Sequence, residues 1–364
     1  MKKVIIYLPN LNFGGAESVT VRLANYLVNN GYSVQLITSV NGGILEETLD
    51  DRVEYSCLKL KNQWYTILKM PSVIRKVQPD IIFTTMKESC FIMILSKYLA
   101  RSKARMVIRE ANTVSLQLKE EVGLLKKIKN FLIAISYHFS DKIIALSDEI
   151  KLDLMDTFKL PNRIDVIPNP IDFSTINNAS ELLIDNVDLI NKDILKIVTV
   201  ARFYPQKNHI FMIDALAKYI NNRPNVKLFL VGDGPLRDKI SERAHLLGIS
   251  NNVVFLGFQK NPLAIVKACD LFVLPSIYEG FSNALLEAAA LNKKILVSDA
   301  QATSVSFLKK INTGVFYKNN SIDDFCEKLE YLASSEGDYG ISERMKNEYS
   351  SDAVFKSYSK VMFE

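Results

Sequence analysis

The densest cluster of residues able to do chemistry lies between Glu279 and Glu287, in LFVLPSIYEGFSNALLEAAALNKKILVSDA. The apolar run LFVLP reads as a strand. The loop after it carries Glu279-Gly280-Phe281, then Ser282-Asn283, a pair suited to N-capping, and then the helix ALLEAAAL with Glu287. Glu279 stands where a ligand would meet the helix entrance. Glu287 is an acid in an Ala/Leu-rich stretch, costly to bury unless it accepts hydrogen bonds. A ribose diol would donate them, and a solvent-facing position on the helix is the alternative.

Two other segments carry polar groups at strand ends. In VARFYPQKN, Arg202 ends a strand and Lys207 follows five residues later, before a helix. Two cations at the mouth of a parallel strand suit a diphosphate leaving group, because they neutralise the charge that builds as a glycosidic bond breaks. Taken alone, two basic loop residues are as readily just solvated. In LPNLNFGGAESVTVRLANYL a strand runs into Gly14-Gly15 and then an amphipathic helix. Glycines there let the backbone approach a diphosphate at a helix N-terminus, though a ligand-free tight turn fits the same residues. The motif is not GxGxxG. The second strand ends in Thr38-Ser39 without the acid that a nicotinamide dinucleotide requires.

Short apolar runs alternating with helical patterns position these segments, as in βαβ units with parallel sheets. Expected strands in the first half are Lys3–Leu8, Val34–Thr38, Ile81–Thr84, Met106–Arg109 and Lys142–Leu146, and the series ends in RIDVIPNPID, with a turn at Asn169-Pro170. A new series starts at KIVTVAR and continues with VKLFLVG, NVVFLG and LFVLP. The 364 residues suit two domains. The expected layout is α/β: a Rossmann-like domain over 1–172, a linker over 173–192, a second Rossmann-like domain over 193–341, and a helical tail over 342–364 that packs back on one of them. Two such domains would face each other across a cleft, with ligands at the carboxyl ends of strands.

Composition narrows the function classes. With 48% hydrophobic and 23% charged residues the chain is globular, neither disordered nor collagen-like. Cys57, Cys90, Cys269 and Cys326 lack the spacing of a disulfide framework or zinc site, which suits a reducing cytoplasm. MKKVIIYLPN reads as a first strand, since its apolar run is too short for a signal peptide. No run approaches the roughly 18 apolar residues of a spanning helix, so membrane contact is expected to be peripheral. The formal charge of +5 is uneven: residues 60–129 hold 14 basic and 5 acidic residues. That balance points to an acidic partner for the first domain. No nucleic-acid recognition motif accompanies it.

Together these segments resemble the family 4 retaining glycosyltransferases, which have the GT-B fold. The Glu279, seven residues, Glu287 spacing matches the family signature. FGGAE, VARFYPQKN, VGDGPLR, the strand ending FLGF and VIPNPID follow in family order over nearly the whole chain. The resemblance implies a nucleotide-sugar donor, with a UDP-linked hexose or N-acetylhexosamine expected, no cofactor and no metal. Arg202 and Lys207 would clamp the diphosphate and Glu287 would hold the ribose. Glu279, with the backbone of Gly280, Phe281 and Ser282, would contact the sugar, and Asn283, Ala284 and Leu285 would offer amides. Gly232 and Asp233 would shape the base and ribose end. Gly15 would approach the phosphates from the other domain, with Gly14 supporting the turn. MVIREANTVS looks like a variant of the loop after the central strand, so Glu110 and Asn112 would face sugar and acceptor, Glu110 as a catalytic candidate. Many members place a histidine in that neighbourhood. Here His138, His209 and His245 all lie outside the loop, and His138 is expected to be structural. Front-face attack, in which the leaving phosphate takes the acceptor proton, needs no protein base. One departure is QATSVSFL, where the family often has Gly-Pro and then a Glu that would align near Ser306.

On the acceptor side, LQLKEEVGLLKKIKNFLIAI, residues 116–135, mixes Lys119, Lys126, Lys127 and Lys129 with apolar residues at helical spacing. Basic amphipathic helices adsorb to anionic membranes. An inner-leaflet site and a glycan or undecaprenyl-diphosphate-linked acceptor in bacterial surface polysaccharide synthesis are therefore expected, a helix covering its own domain being the plainer alternative. A non-catalytic sugar- or partner-binding subunit of the same fold, and a nucleotide-sugar epimerase, are the competing functions.

Overall fold

A computed structural model describes the chain apart from residues 13, 41–42, 121–122, 162, 182–185 and 337–342, and apart from the side chains of 117, 119, 120, 124–126, 343 and 344. It divides into two compact units: Met1–Pro170 with Ser351–Glu364, and Ile171–Ser350.

The first unit is a seven-stranded, wholly parallel sheet of β1 (Lys3–Leu8), β2 (Ser33–Thr38), β3 (Glu54–Cys57), β4 (Ile81–Thr85), β5 (Arg105–Glu110), β6 (Lys142–Ala145) and β7 (Ile164–Val166), in the order β3-β2-β1-β4-β5-β6-β7. Val4–Leu8 and Ile81–Thr85 are buried throughout, as expected of strands covered on both faces. The helix Ser351–Phe363 completes this unit. Val354, Phe355, Tyr358 and Met362 enter its core, and the Phe363 ring stacks on Tyr32 with centroids 4.1 Å apart.

The second unit is a six-stranded parallel sheet of β8 (Leu195–Val200), β9 (Val226–Val231), β10 (Val253–Gly257), β11 (Leu271–Leu274), β12 (Lys294–Ser298) and β13 (Val315–Tyr317), in the order β10-β9-β8-β11-β12-β13. Both sheets are Rossmann-like and reverse direction of growth once, between β1 and β4 and between β8 and β11. Such switch points open a crevice at the carboxyl ends of the strands.

Two expectations need correction. Much of the polar stretch 173–192 is helical: Asp172 caps Phe173–Ser180 by accepting the Thr175 amide at 2.9 Å, and Asn186 caps Val187–Ile190. Both helices belong to the second unit, because Asx caps can start helices in sequence that otherwise reads as polar linker. Residues 182–185 of that stretch lie outside the described residues. The tail is not one helix: Glu343–Tyr349 stays with the second unit and Ser351–Phe363 with the first, and the start expected at 342 is outside the described residues.

Candidate active site

In the second unit, β8 and β11 are hydrogen-bonded neighbours in register from Ile197↔Leu271, so the loops leaving them emerge side by side. A backbone bond from the Ile277 amide to the Gln206 carbonyl, 2.8 Å, ties the two loops together.

The loop after β8 is held from its other side. The Ala201 amide donates to the Val231 carbonyl at 3.0 Å, and Phe203 exchanges with the next loop, its amide to Asp233 and its carbonyl from the Leu236 amide. Gly232, with φ +138, makes this approach possible: a Cβ there would sit 2.1 Å from the Ala201 carbonyl oxygen. Gly232 therefore lets the two loops pack closely beside Arg202. Arg202 is exposed, its guanidinium 5.4 Å from the Tyr204 ring centroid. Asp233 is exposed and accepts the Gly234 amide at 2.8 Å.

A single 3-10 turn, Pro205–Lys207, then aims Lys207 at the neighbouring loop, and Asn208 (φ 55) redirects the chain into the helix His209–Ile220. The Lys207 ammonium donates to Glu279 Oε1, and the Ser276 hydroxyl donates to the same oxygen at 2.8 Å. The two charged side chains are only 16% and 9% exposed, so each is the other's main compensation for lost water. His209, two residues after Lys207, is buried edge-on against Phe203, and its basicity is pushed down to about 4 by burial and then by the Lys207 charge. It is neutral at ordinary pH.

Ser282 caps the helix Asn283–Ala290, accepting the Leu285 amide at 3.4 Å. This corrects one expectation: the Leu285 amide serves the cap, because the third amide of a helix is the natural donor to its N-cap. Asn283 and Ala284 remain as the amides of the opening turn. Gly280 and Phe281 are buried, Phe281 packing on Phe307 with centroids 5.4 Å apart. Glu287 is half-buried between the buried Leu286 and Ala288. In the departing loop, Gln301 is buried, its amide nitrogen donating to the Leu274 carbonyl at 2.9 Å. Ser306 is exposed.

The candidates in the first unit fare differently. Gly15 opens the helix Gly15–Asn29 after β1, at the switch point, and is exposed. Gly14, the N-cap of that helix, is extended (φ −159), and a Cβ there would meet the Glu17 carboxylate at 2.3 Å. Phe13 of that motif is outside the described residues. Glu110 requires a larger correction. It is 2% exposed and turned inward, Oε1 accepting the Ala111 and Asn112 amides at 3.0 and 3.1 Å and Oε2 accepting the Tyr137 hydroxyl at 2.6 Å. Burial raises its pKa, and the three donors oppose the shift. A carboxylate so enclosed holds its loop and is not presented to a ligand. Asn112 itself is exposed. His138 bonds the Phe158 carbonyl at 2.9 Å.

Sequence reasoning missed Ser276, Tyr137 and Arg109. Arg109 is 1% exposed and donates to the Tyr358 hydroxyl (3.0 Å), Thr85 Oγ1 (3.3 Å) and Asn169 Oδ1 (2.6 Å), joining three strand-end segments to the last helix. Its position in an apolar strand was the available signal, since a buried arginine must be fully engaged.

Two family models match in tandem, Glycosyltransferase Family 4 over residues 13–175 and Glycosyl transferases group 1 over residues 182–350. This chain belongs to the group 1, family 4 glycosyltransferases. The glycosyltransferase is 30% identical over 250 residues to an uncharacterized glycosyltransferase of Methanocaldococcus jannaschii, a match covering 67% of this chain and 60% of the relative. It is 28% identical over 310 residues to the N-acetylgalactosamine-N,N'-diacetylbacillosaminyl-diphospho-undecaprenol 4-alpha-N-acetylgalactosaminyltransferase of Campylobacter jejuni, covering 82% and 81% of the two chains. Among solved structures, Anabaena HepE in complex with UDP and glucose superposes with a TM-score of 0.81 over 100% of this chain and 99% of that one, at 16% identity. The glycosyltransferase thus has the GT-B fold.

Proposed function

We propose that this glycosyltransferase moves a hexose or N-acetylhexosamine from a UDP-sugar to a glycan or undecaprenyl-diphosphate-linked acceptor in bacterial surface polysaccharide synthesis, with retention at the anomeric carbon and without a metal. The observation that carries the donor side is the Lys207–Glu279 pair at the β8/β11 switch point, with Arg202 on the same loop as Lys207. As the bond from the anomeric carbon to the diphosphate breaks, negative charge builds on the leaving oxygen. Arg202 and Lys207 offset that charge. The acceptor hydroxyl attacks from the face the diphosphate leaves, and its proton passes to a phosphate oxygen. No carboxylate base is then needed, which agrees with an enclosed Glu110. Glu279 orients Lys207 and meets the sugar, and Glu287 binds the ribose. The UDP held by HepE and the lipid-linked substrate named for the Campylobacter relative support the donor and acceptor classes.

The acceptor reading places the protein at the inner face of the cell membrane. No helix among the described residues is long and apolar enough to cross a membrane. On Leu124–His138, Ile128, Phe131, Leu132 and Ile135 are exposed at helical spacing beside an exposed Lys127. Such a face adsorbs to anionic bilayers. Lys129, read as part of the basic face, instead pairs with Glu88 at 3.3 Å, and the side chains of Lys119 and Lys126 are outside the described residues.

The test is a thermal-shift panel of nucleotide sugars, followed by transfer assays with the best donor. The correct donor stabilises the folded state by mass action, about 2.7 kcal/mol at a hundred times its Kd. No shift with any UDP-sugar would overturn the donor class, loss of turnover in excess chelator would overturn metal independence, and an inverted product anomer would overturn retention. Cosedimentation with anionic liposomes tests the membrane site: binding by a Lys127→Glu, Phe131→Ser variant equal to wild type would remove it.

A further inference from the structure

The inward turn of Glu110 raises the question of what its enclosure is for. β5 lies beside β4, one strand from the switch point of the first sheet, and the segment leaving it, Ala111-Asn112, carries the exposed Asn112 that was expected to face the acceptor. The Glu110 carboxylate receives three donors: two amides of that segment on one oxygen, one phenol on the other. Three donors on two oxygens fix the orientation of the carboxyl group, and with it the two amides it receives.

The phenol comes from elsewhere in the fold. Tyr137 sits near the end of Leu124–His138, wholly buried, its ring tilted on Phe158 with centroids 5.0 Å apart and its hydroxyl beside the buried Cys90 thiol. Ile133 is buried with it, four residues earlier, while Ile128, Phe131, Leu132 and Ile135 of the same helix are exposed. One helix therefore shows an apolar face outward and, from its inner side, holds the carboxylate that sets the loop after β5.

We propose that Tyr137 is a positioning residue for transfer: acting through Glu110, it holds the Ala111-Asn112 segment in place and couples that segment to the helix with the exposed apolar face. The inference rests on the acceptor reading above for its kinetic consequence, but the coupling itself is testable without it. Neither Tyr137 nor Glu110 touches a reacting atom in this scheme.

The experiment compares the full-length wild type with Tyr137→Phe, which keeps the ring and removes only the hydroxyl. Hydrogen exchange is followed at the amides of residues 111–116 and, as an internal control, of residues 283–290. The expected result is about tenfold faster exchange at 111–112, the loss of one charge-assisted hydrogen bond, with 283–290 unchanged and the thermal shift caused by UDP unchanged. Kinetically, kcat/KM for a synthetic undecaprenyl-diphosphate-linked N-acetylhexosamine falls about tenfold while KM for the UDP-sugar holds. Glu110→Gln lowers turnover but leaves the shape of the pH profile intact. Exchange at 111–112 equal to wild type in Tyr137→Phe overturns the proposal, and so does loss of the acidic limb of the pH profile in Glu110→Gln, which would make Glu110 a proton acceptor. Absence of transfer by the wild type with any UDP-sugar would instead overturn the proposed function, and the exchange comparison would still decide the coupling.

Discussion

Replacing Lys207 by Met and Glu279 by Gln, singly and together, gives the sharpest check on the donor site. The two side chains are 16% and 9% exposed, so their attraction acts at an effective dielectric nearer about 20 than 80, which is about 4 kcal/mol for unit charges about 4 Å apart. Desolvation of the two ions offsets most of that, which leaves the intact pair close to neutral in net stability. Removing one partner strands the other. Lys207→Met leaves the Glu279 carboxylate with the Ser276 hydroxyl, and Glu279→Gln leaves a largely buried ammonium. Each single change is therefore expected to lower unfolding free energy by about 3 kcal/mol, the double change by about 1, for a coupling of several kcal/mol. Urea denaturation of the four proteins measures it, provided both units unfold together or the second unit's transition is resolved. Singles within about 0.5 kcal/mol of wild type, or strictly additive effects, would refute the reasoning that the pair is held together by its own burial.

Other expectations follow from neighbouring contacts. Arg202→Ala, Lys207→Ala and Glu279→Ala should each nearly abolish transfer in a UDP-sugar assay, and near-wild-type turnover in all three would refute the site. Gly232→Ala, with its Cβ directed at the Ala201 carbonyl and φ at +138, should destabilise by more than about 1 kcal/mol and weaken UDP binding, read by thermal shift. His209, held near 4 in the fold against about 6.5 unfolded, takes up its proton later than the unfolded chain does. Stability should therefore fall as pH drops from about 6.5 to 4, by about 3 kcal/mol in all, and a His209→Leu variant should lose that slope in pH-dependent denaturation. Tyr358→Phe strips the hydroxyl from Arg109 Nε and should cost about 1–3 kcal/mol in the same measurement.

What was legible in the sequence was what repeats as pattern. Buried parallel strands are continuous apolar runs, so LFVLP and KVIIYL announced themselves, as did the cap at Ser282. β3, with Glu-Tyr-Ser-Cys, was hidden because an edge strand is partly exposed and need not be apolar. The helices within 173–192 were hidden because their stability comes from caps and packing in the second unit. At the site, Arg202, Lys207, Glu279 and Glu287 could be named from spacing, yet the direction in which a side chain turns is a tertiary fact. Glu110 and Asn112 are two residues apart, and one is enclosed while the other is exposed. The partner that encloses Glu110 from outside its own loop, Tyr137, lies 27 residues further on.

The return of Ser351–Phe363 to the first sheet also has a consequence for how the chain is made. Phe355, Tyr358 and Met362 fill a core whose other walls are β1, β2 and β4, and Arg109 waits for the Tyr358 hydroxyl. On the ribosome, strands β1 to β7 emerge first but lack this last wall until the whole of Ile171–Ser350 has been synthesised. The second unit can therefore close its core first, reversing the usual order in which the N-terminal domain folds ahead of the rest. A premature stop near residue 350 would spare the unit it falls in and leave the core of the other one open.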